Sequence, residues 1–168
     1  MKTKILEFWN KIKPFILPYI VAIAIPITVG IVSASLTKDN MDVYNNLTTP
    51  PFAPPSRLFP IVWSILFILM GVSSAMIYTH CERNIDDAKK GLGWYTASLV
   101  LNFSWSIVFF NLQATFFALL ILMALLYTII RTILEYRKVW PISAYLQIPY
   151  AIWVIFAGYI NAGIWILN

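Results

Sequence analysis

A bundle of five transmembrane helices is the fold this sequence predicts, and three observations predict it. The first is composition: 60% of the 168 residues are hydrophobic and only 11% charged, with a mean hydropathy of +0.76. Soluble domains run at roughly 45–50% apolar and about 25% charged. The second is that the charges cluster and leave room for five apolar stretches. Each is long enough to cross roughly 30 Å of hydrocarbon, which takes about 20 helical residues. The third is where the cations fall. Lys2, Lys4, Lys11, Lys13, Arg83, Lys89, Lys90, Arg131, Arg137 and Lys138 sit on one side of a five-span layout, and only Lys38 and Arg57 on the other. That asymmetry marks the cytoplasmic face. The formal charge of +5 therefore records insertion and contact with anionic lipid, not a nucleic-acid footprint. Residues 1–168 read as one membrane domain, without an internal repeat of the solenoid kind. An odd number of spans also argues against two equal inverted halves.

Taken in order, residues 1–13 are a basic amphipathic lead-in, with Ile5, Leu6, Phe8, Trp9 and Ile12 between the lysines. It is expected to lie in the interface and hold the N-terminus inside. Span one covers residues 15–36. Ser33-Ala34-Ser35 resembles a signal cleavage site, but an apolar run this long exceeds a signal core of about 7–15 residues, so the helix is expected to be retained, bent at Pro26. The exterior loop 37–57 ends in a proline run, with Pro50, Pro51, Phe52, Pro54 and Pro55 ahead of Pro60. Proline lacks an N–H and excludes its predecessor from the α region, so a stiff extended segment is expected. It reads either as a rigid linker or as a cover over a pocket with Trp63 beneath.

Span two covers 58–79, with Ser56 as candidate N-cap and Gly71 and Ala75 suited to close helix contact. Residues 80–90 read as a solvated, charged loop. Cys81 and His80 within it lack the second Cys or His that a metal or nucleophile site would need. Spans three (94–112) and four (115–136) follow, joined by a tight turn near Asn111. Span three carries Ser98, Asn102 and Ser106 as a polar stripe, which belongs against a helix or a cavity rather than lipid. Span five, 141–167, repeats Tyr150, Trp153, Ala157 and Asn161 on one face. Gly158 and Ala162 form a second small-residue pair. Tryptophans at span ends suit the headgroup belt. Trp105 and Trp153 lie too deep for that and suit the lining of an aromatic-polar cavity.

No ionisable residue occupies the middle of a span, which disfavours a proton- or ion-coupled carrier. There is no zinc spacing, no phosphate loop, no Ser-His-Asp set and no good axial haem ligand. No metal or cofactor is expected. The residues favour a binder of a flat, apolar, conjugated molecule.

Three motifs then carry a resemblance. Tyr44-x-x-Leu47-x-x-Pro50-x-x-x-Pro54-Pro55 runs on to Phe59 and Trp63. Asn102, Trp105, Ser106, Phe109 and Phe110 form the second, and Pro149, Tyr150, Trp153, Ala157 and Asn161 the third. In order and spacing, over roughly residues 15–168, the chain resembles the tryptophan-rich sensory protein / translocator protein family, also called the peripheral-type benzodiazepine receptor family. The resemblance implies an all-α five-helix integral membrane bundle, often dimeric, with a pocket under the proline-rich loop. It implies binding of tetrapyrroles such as protoporphyrin IX, and of isoquinoline and benzodiazepine ligands. By motif position the ligand-binding residues are Phe59, Trp63, Asn102, Trp105, Phe109, Tyr150, Trp153, Ala157 and Asn161, and the lid is Pro50, Pro51, Phe52, Pro54 and Pro55. If light-dependent porphyrin breakdown occurs, Trp63 and Trp153 are its catalytic indoles. The alternatives to a receptor or sensor are that enzyme, or a carrier of porphyrins and other apolar molecules.

The family's loop lysine is Thr49 here and its loop tryptophan is Phe52, which alters how the lid meets a porphyrin carboxylate. The cholesterol pattern is absent after Tyr159, since no basic residue follows it. Expected partners are a porphyrin-like ligand, the lipid bilayer and a second copy of the chain, with no nucleic acid. The expected location is a bacterial plasma membrane, N-terminus inside and C-terminus outside.

Overall fold

In this computed structural model the described residues are 2–40 and 42–168, with side chains described from Ile16 onward. The interfacial lead-in, Trp9 included, therefore has its side chains outside the described residues. Five long helices make up the chain: α1 Lys2–Thr37, α2 Leu58–Thr79, α3 Ile85–Ser106, α4 Thr115–Val139 and α5 Pro141–Leu167. All five contain a stretch long and apolar enough to cross a bilayer. The protein is an all-α, five-helix integral membrane bundle. Ile20, Ile25, Ile61, Val100, Met123 and Ile152 point outward, as they must where the surrounding solvent is hydrocarbon. The most extensive packing is between α3 and α4 and between α4 and α5, followed by α1 with α2 and α2 with α5.

Three sequence-based expectations are corrected. Helix α3 begins at Ile85 rather than residue 94, so half of the expected charged loop is helix. Asn84 caps it, accepting a hydrogen bond from the Asp87 amide at 3.2 Å, and Asp86 and Asp87 occupy the first turn. Acidic groups there complement the helix dipole, so the helix starts outside the apolar stretch that hydropathy detects. Ser56 does not cap α2. The N-cap is Arg57 without a side-chain bond, and the chain enters through a backbone turn in which the Leu58 amide donates to Pro55 O at 2.9 Å. Nor is the proline run extended throughout. The Ala53 amide donates to Pro50 O across Pro51 and Phe52, and Phe52 has φ 64°. Proline second and a left-handed residue third describe a type II turn.

Two glycines set how α1 and α2 pack. A Cβ on Gly71 would lie 2.4 Å from the Ile23 Cα, so the two backbones touch there. One on Gly30 would lie 2.3 Å from the Phe67 ring. That contact forms the bundle's waist. Beyond it, toward the proline loop, α1 and α2 part and leave space between them.

The loop itself is tied to the end of α5. The Thr48 amide donates to the Asn168 side-chain oxygen at 3.0 Å, and the Asn168 amide group donates back to Thr48 O at 3.0 Å. Pro50 packs on Gly163, and the Tyr159 hydroxyl donates to Pro51 O at 3.0 Å. At the other end of the bundle, Glu135 is buried and accepts from Arg131 at 3.1 Å and Lys138 at 2.6 Å. Trp140, between α4 and α5, stacks on His80 with ring centroids 4.1 Å apart, and Arg83 lies 4.4 Å from its ring.

Candidate functional site

The space beyond the waist is a cavity of about 330 Å³ between α1, α2 and α3. Pockets that hold small organic ligands run roughly 300–1,000 Å³. Helix α2 contributes Phe59, Pro60, Trp63, Ser64, Phe67 and Ile68 to its wall. From α3 and the π-helical turn that extends it, Ile107–Asn111, come Asn102, Phe103, Trp105, Ser106 and Phe110. Helix α1 supplies Ile27, Val29, Gly30, Ile31, Ser33, Ala34 and Thr37. The wall is apolar and aromatic, and among the described residues no ionisable side chain enters it.

Its polar groups are few and mostly engaged. The hydroxyls of Thr37 and Ser64 donate to Ser33 O and Pro60 O four residues back, at 3.0 and 2.8 Å. Ser106 does the same to Asn102 O at a longer 3.4 Å. Asn102, buried apart from its cavity face, supplies the one amide in the wall among the described residues.

A much smaller void, about 10 Å³, lies behind Phe59 and Trp105, lined also by Tyr44, Phe109, Phe110, Ala157, Ile160 and Asn161. Asn161 holds this region together. Its oxygen accepts from the Trp105 indole N–H at 3.2 Å, and its NH₂ donates to Thr115 O at 2.7 Å. One amide thus fixes α3, α4 and α5 against each other. Tyr44 belongs to a one-turn helix, Val43–Asn46, and its hydroxyl donates to Pro54 O at 2.8 Å. Its ring meets Phe59 edge-on at 5.1 Å. Burial pushes its phenol pKa above the ordinary value of 10.0.

The sequence-predicted site residues therefore separate into three groups. Phe59, Trp63, Asn102 and Trp105 line the larger cavity, and Phe109, Ala157 and Asn161 the smaller one. Tyr150 and Trp153 line neither and stand behind the wall. Tyr150 is fully buried with its ring 6.0 Å edge-on from Trp63, and Trp153 meets Phe59 at 5.9 Å. The Trp153 indole N–H is buried and finds no acceptor among the described residues. The polar stripe of α3 divides too: Asn102 and Ser106 face the cavity, while Ser98 is buried outside its wall. No residue of the proline turn enters the larger wall, and Phe52 is 90% exposed.

Sequence reasoning missed the whole α1 wall. The available signal was Gly30, Ser33 and Thr37, spaced by three and four in an otherwise apolar helix, a small and polar stripe on one face. Phe67 was hidden among many other aromatic residues, and Phe110 stood in the second motif without being read as a wall residue.

With this geometry in view, comparisons with known proteins agree with one another. The sequence profile of the TspO/MBR family matches residues 22–166. The chain is 34% identical over 155 residues to a tryptophan-rich protein TspO of Chlorobaculum tepidum, covering 91% of this chain and 97% of that one. It is 34% identical over 125 residues to protein CrtK of Rhodobacter capsulatus, covering 74% and 78%. A translocator protein of Bos taurus is 31% identical over 137 residues, 81% of each chain. A five-helix membrane bundle matched by the family profile over nearly its whole length, this chain belongs to the TspO/MBR family.

Proposed function

We propose that the protein is a membrane receptor or sensor that binds flat, conjugated ligands, tetrapyrroles such as protoporphyrin IX foremost, in the cavity between α1, α2 and α3. The observation that carries this reading is the wall itself: aromatic rings of Phe59, Trp63, Phe67, Trp105 and Phe110 around about 330 Å³, with Asn102 for orientation and no charge. Burying a planar apolar ligand against such rings supplies affinity without an axial ligand, which favours the free-base porphyrin over haem. Isoquinoline and benzodiazepine ligands suit the same wall. The relatives named translocator protein and tryptophan-rich protein support a sensor or translocator role. Lys38, next to Thr37, and Arg57, two residues before Phe59, are the cations available to porphyrin carboxylates at this end.

In this reading the basic end faces the cytoplasm of a bacterial cell and the proline loop faces outward. Phe59, Trp63, Asn102 and Trp105 contact the ligand. Phe109, Tyr150, Trp153, Ala157 and Asn161 back them, and Pro50 to Pro55 act as a cover held to α5. A second copy of the chain would pack at Gly158, where an added Cβ meets nothing within 4 Å. Gly71, by contrast, is already used inside the bundle.

The test is a protoporphyrin titration of the purified protein in the dark, with Trp63→Phe and Trp153→Phe alongside. Saturable quenching that Trp63→Phe weakens about tenfold (roughly 1.4 kcal/mol), and that Trp153→Phe weakens less, is the expected result. Absence of saturation would overturn the reading. The photochemical alternative has one observation in its favour: the Trp63 indole is in the cavity wall, with Trp153 one ring behind it through Phe59. Under light and dioxygen that enzyme would yield a new absorbing product, lost in Trp63→Phe while dark binding persists. A receptor returns the extracted porphyrin unchanged.

A further inference from the structure

Among the described residues four hydroxyl side chains line the cavity between α1, α2 and α3: Ser33, Thr37, Ser64 and Ser106. A hydroxyl inside a helix commonly donates to a carbonyl three or four residues back. Thr37, Ser64 and Ser106 all do so. Ser33 is the exception. Its backbone carbonyl accepts from the Thr37 hydroxyl at 3.0 Å, but its own hydroxyl has no partner among the described residues. The residue is only 8% exposed and belongs to the cavity wall, and its hydroxyl oxygen is not one of the sealed, unpaired atoms. The free hydroxyl therefore opens onto the cavity. Hydrocarbon around the bundle could offer it nothing.

Its surroundings say what it would meet. Gly30 and Ser33 lie one turn apart on one face of α1. A Cβ on Gly30 would lie 2.3 Å from the Phe67 ring, so that ring abuts α1 beside Ser33. Phe67 in turn stacks with Trp63, the centroids 5.5 Å apart and the planes at 30°. Ser33 thus stands at the rim of a two-ring aromatic surface, and a flat molecule laid on that surface presents its edge to α1. On α3, Asn102 is 5% exposed and its side-chain amide also has no partner among the described residues. The wall therefore offers neutral donors from two helices and no charge. A carboxylate would lose its hydration there without gaining a cation. A plain hydrocarbon would leave the donors unpaired. A neutral carbonyl oxygen meets both conditions.

We propose that Ser33 is the hydrogen-bond donor of a carbonyl subsite in this cavity, and so a specificity-determining residue for flat conjugated ligands that carry a neutral C=O on one edge. The inference rests on the cavity being the ligand site and adds what the ligand must carry. The ring system stacks on Trp63 and Phe67, and its carbonyl oxygen accepts from the Ser33 hydroxyl.

Fluorenone and fluorene are the probes, two flat tricyclic molecules that differ at one ring carbon, C=O in the first and CH₂ in the second. Each is titrated by calorimetry onto purified wild type and Ser33→Ala in detergent, with protoporphyrin in parallel. Wild type should prefer fluorenone. Ser33→Ala should weaken fluorenone about fivefold and fluorene by less than about twofold, the loss of one neutral hydrogen bond. An infrared spectrum supplies a readout that a merely looser pocket would not move. The carbonyl stretch of bound fluorenone, lowered by the hydrogen bond, should rise in Ser33→Ala. Equal weakening of both probes, or of neither, overturns the subsite and leaves the cavity as the ligand site. Fluorenone that does not saturate on wild type overturns it as well. Saturation by protoporphyrin in that case keeps the receptor reading, and its absence removes both.

Discussion

The two halves of this bundle solve the same problem in opposite ways. On the basic side of the waist, buried polar groups are numerous: Ser73, Gln147 and Ser143 form a hydrogen-bonded chain between α2 and α5, and Glu135 gathers two cations. On the loop side, the rings of Phe59, Trp63, Phe67 and Trp105 surround open space, and the Asn161 amide ties α3, α4 and α5 together behind them. Packing on the basic side fixes helix positions. On the loop side the helices are held apart, leaving volume for a ligand. The difference teaches that the site is less a set of special side chains than the consequence of where α1 and α2 stop touching.

The largest effect should therefore come from the waist. In Gly71→Ala the new methyl meets backbone, the Ile23 Cα at 2.4 Å, which cannot rotate away. Overpacking of this kind costs up to about 3 kcal/mol, and α1 and α2 must separate to accommodate it. Thermal unfolding should show a Tm lower by roughly 6–12 °C. Gly93→Ala is the control: its Cβ meets nothing within 4 Å, and its Tm should stay within about 2 °C. Equal Tm values for the two variants would remove the waist from the account.

Next in size is Asn161→Ala. The substitution leaves the Trp105 indole N–H and the Thr115 carbonyl without their side-chain partner, a loss of about 2 kcal/mol. Because Trp105 also lines the cavity, dark porphyrin affinity should fall with stability. Gln147→Ala removes an amide of the other half, which donates to Ser73 at 3.1 Å, and should lower stability while leaving porphyrin affinity within about twofold. A parallel loss of affinity in Gln147→Ala would mean that the halves are not separate.

The same division explains what could be read from the residues alone. Five helices were legible because hydropathy and cation placement report directly on the bilayer. The α3 start was not, since Asn84, Asp86 and Asp87 build a helix terminus outside the apolar stretch. The stripe of Ser98, Asn102 and Ser106 had to face inward, but one periodicity cannot say that Asn102 and Ser106 meet a cavity that opens where the contact of Gly71 with Ile23 ends. That contact joins residues 48 positions apart in the chain, and no local pattern encodes it. The α1 wall was missed for the same reason: Gly30 matters because Phe67 lies against it, and that pairing exists only in the folded bundle. The proline run was misread locally, because ring constraints on Pro50, Pro51, Pro54 and Pro55 say nothing about the residue between them.

Phe52 supplies the smallest and most local test. It adopts φ 64° with 90% of its surface exposed, so it holds a left-handed backbone without burying its ring in return. For a residue with a Cβ that conformation costs roughly 1–2 kcal/mol, and glycine is the usual occupant of this position in a type II turn. Phe52→Gly relieves the strain, offset by about 0.5–1 kcal/mol for the extra freedom of glycine in the unfolded chain. A net gain of about 0.5 kcal/mol is the expected outcome, a Tm higher by roughly 1–2 °C. Because the ring does not enter the cavity wall, dark porphyrin affinity should be unchanged. Should affinity fall while stability rises, the ring turns inward over the ligand. The strained backbone would then be the feature that keeps it outside until a ligand arrives.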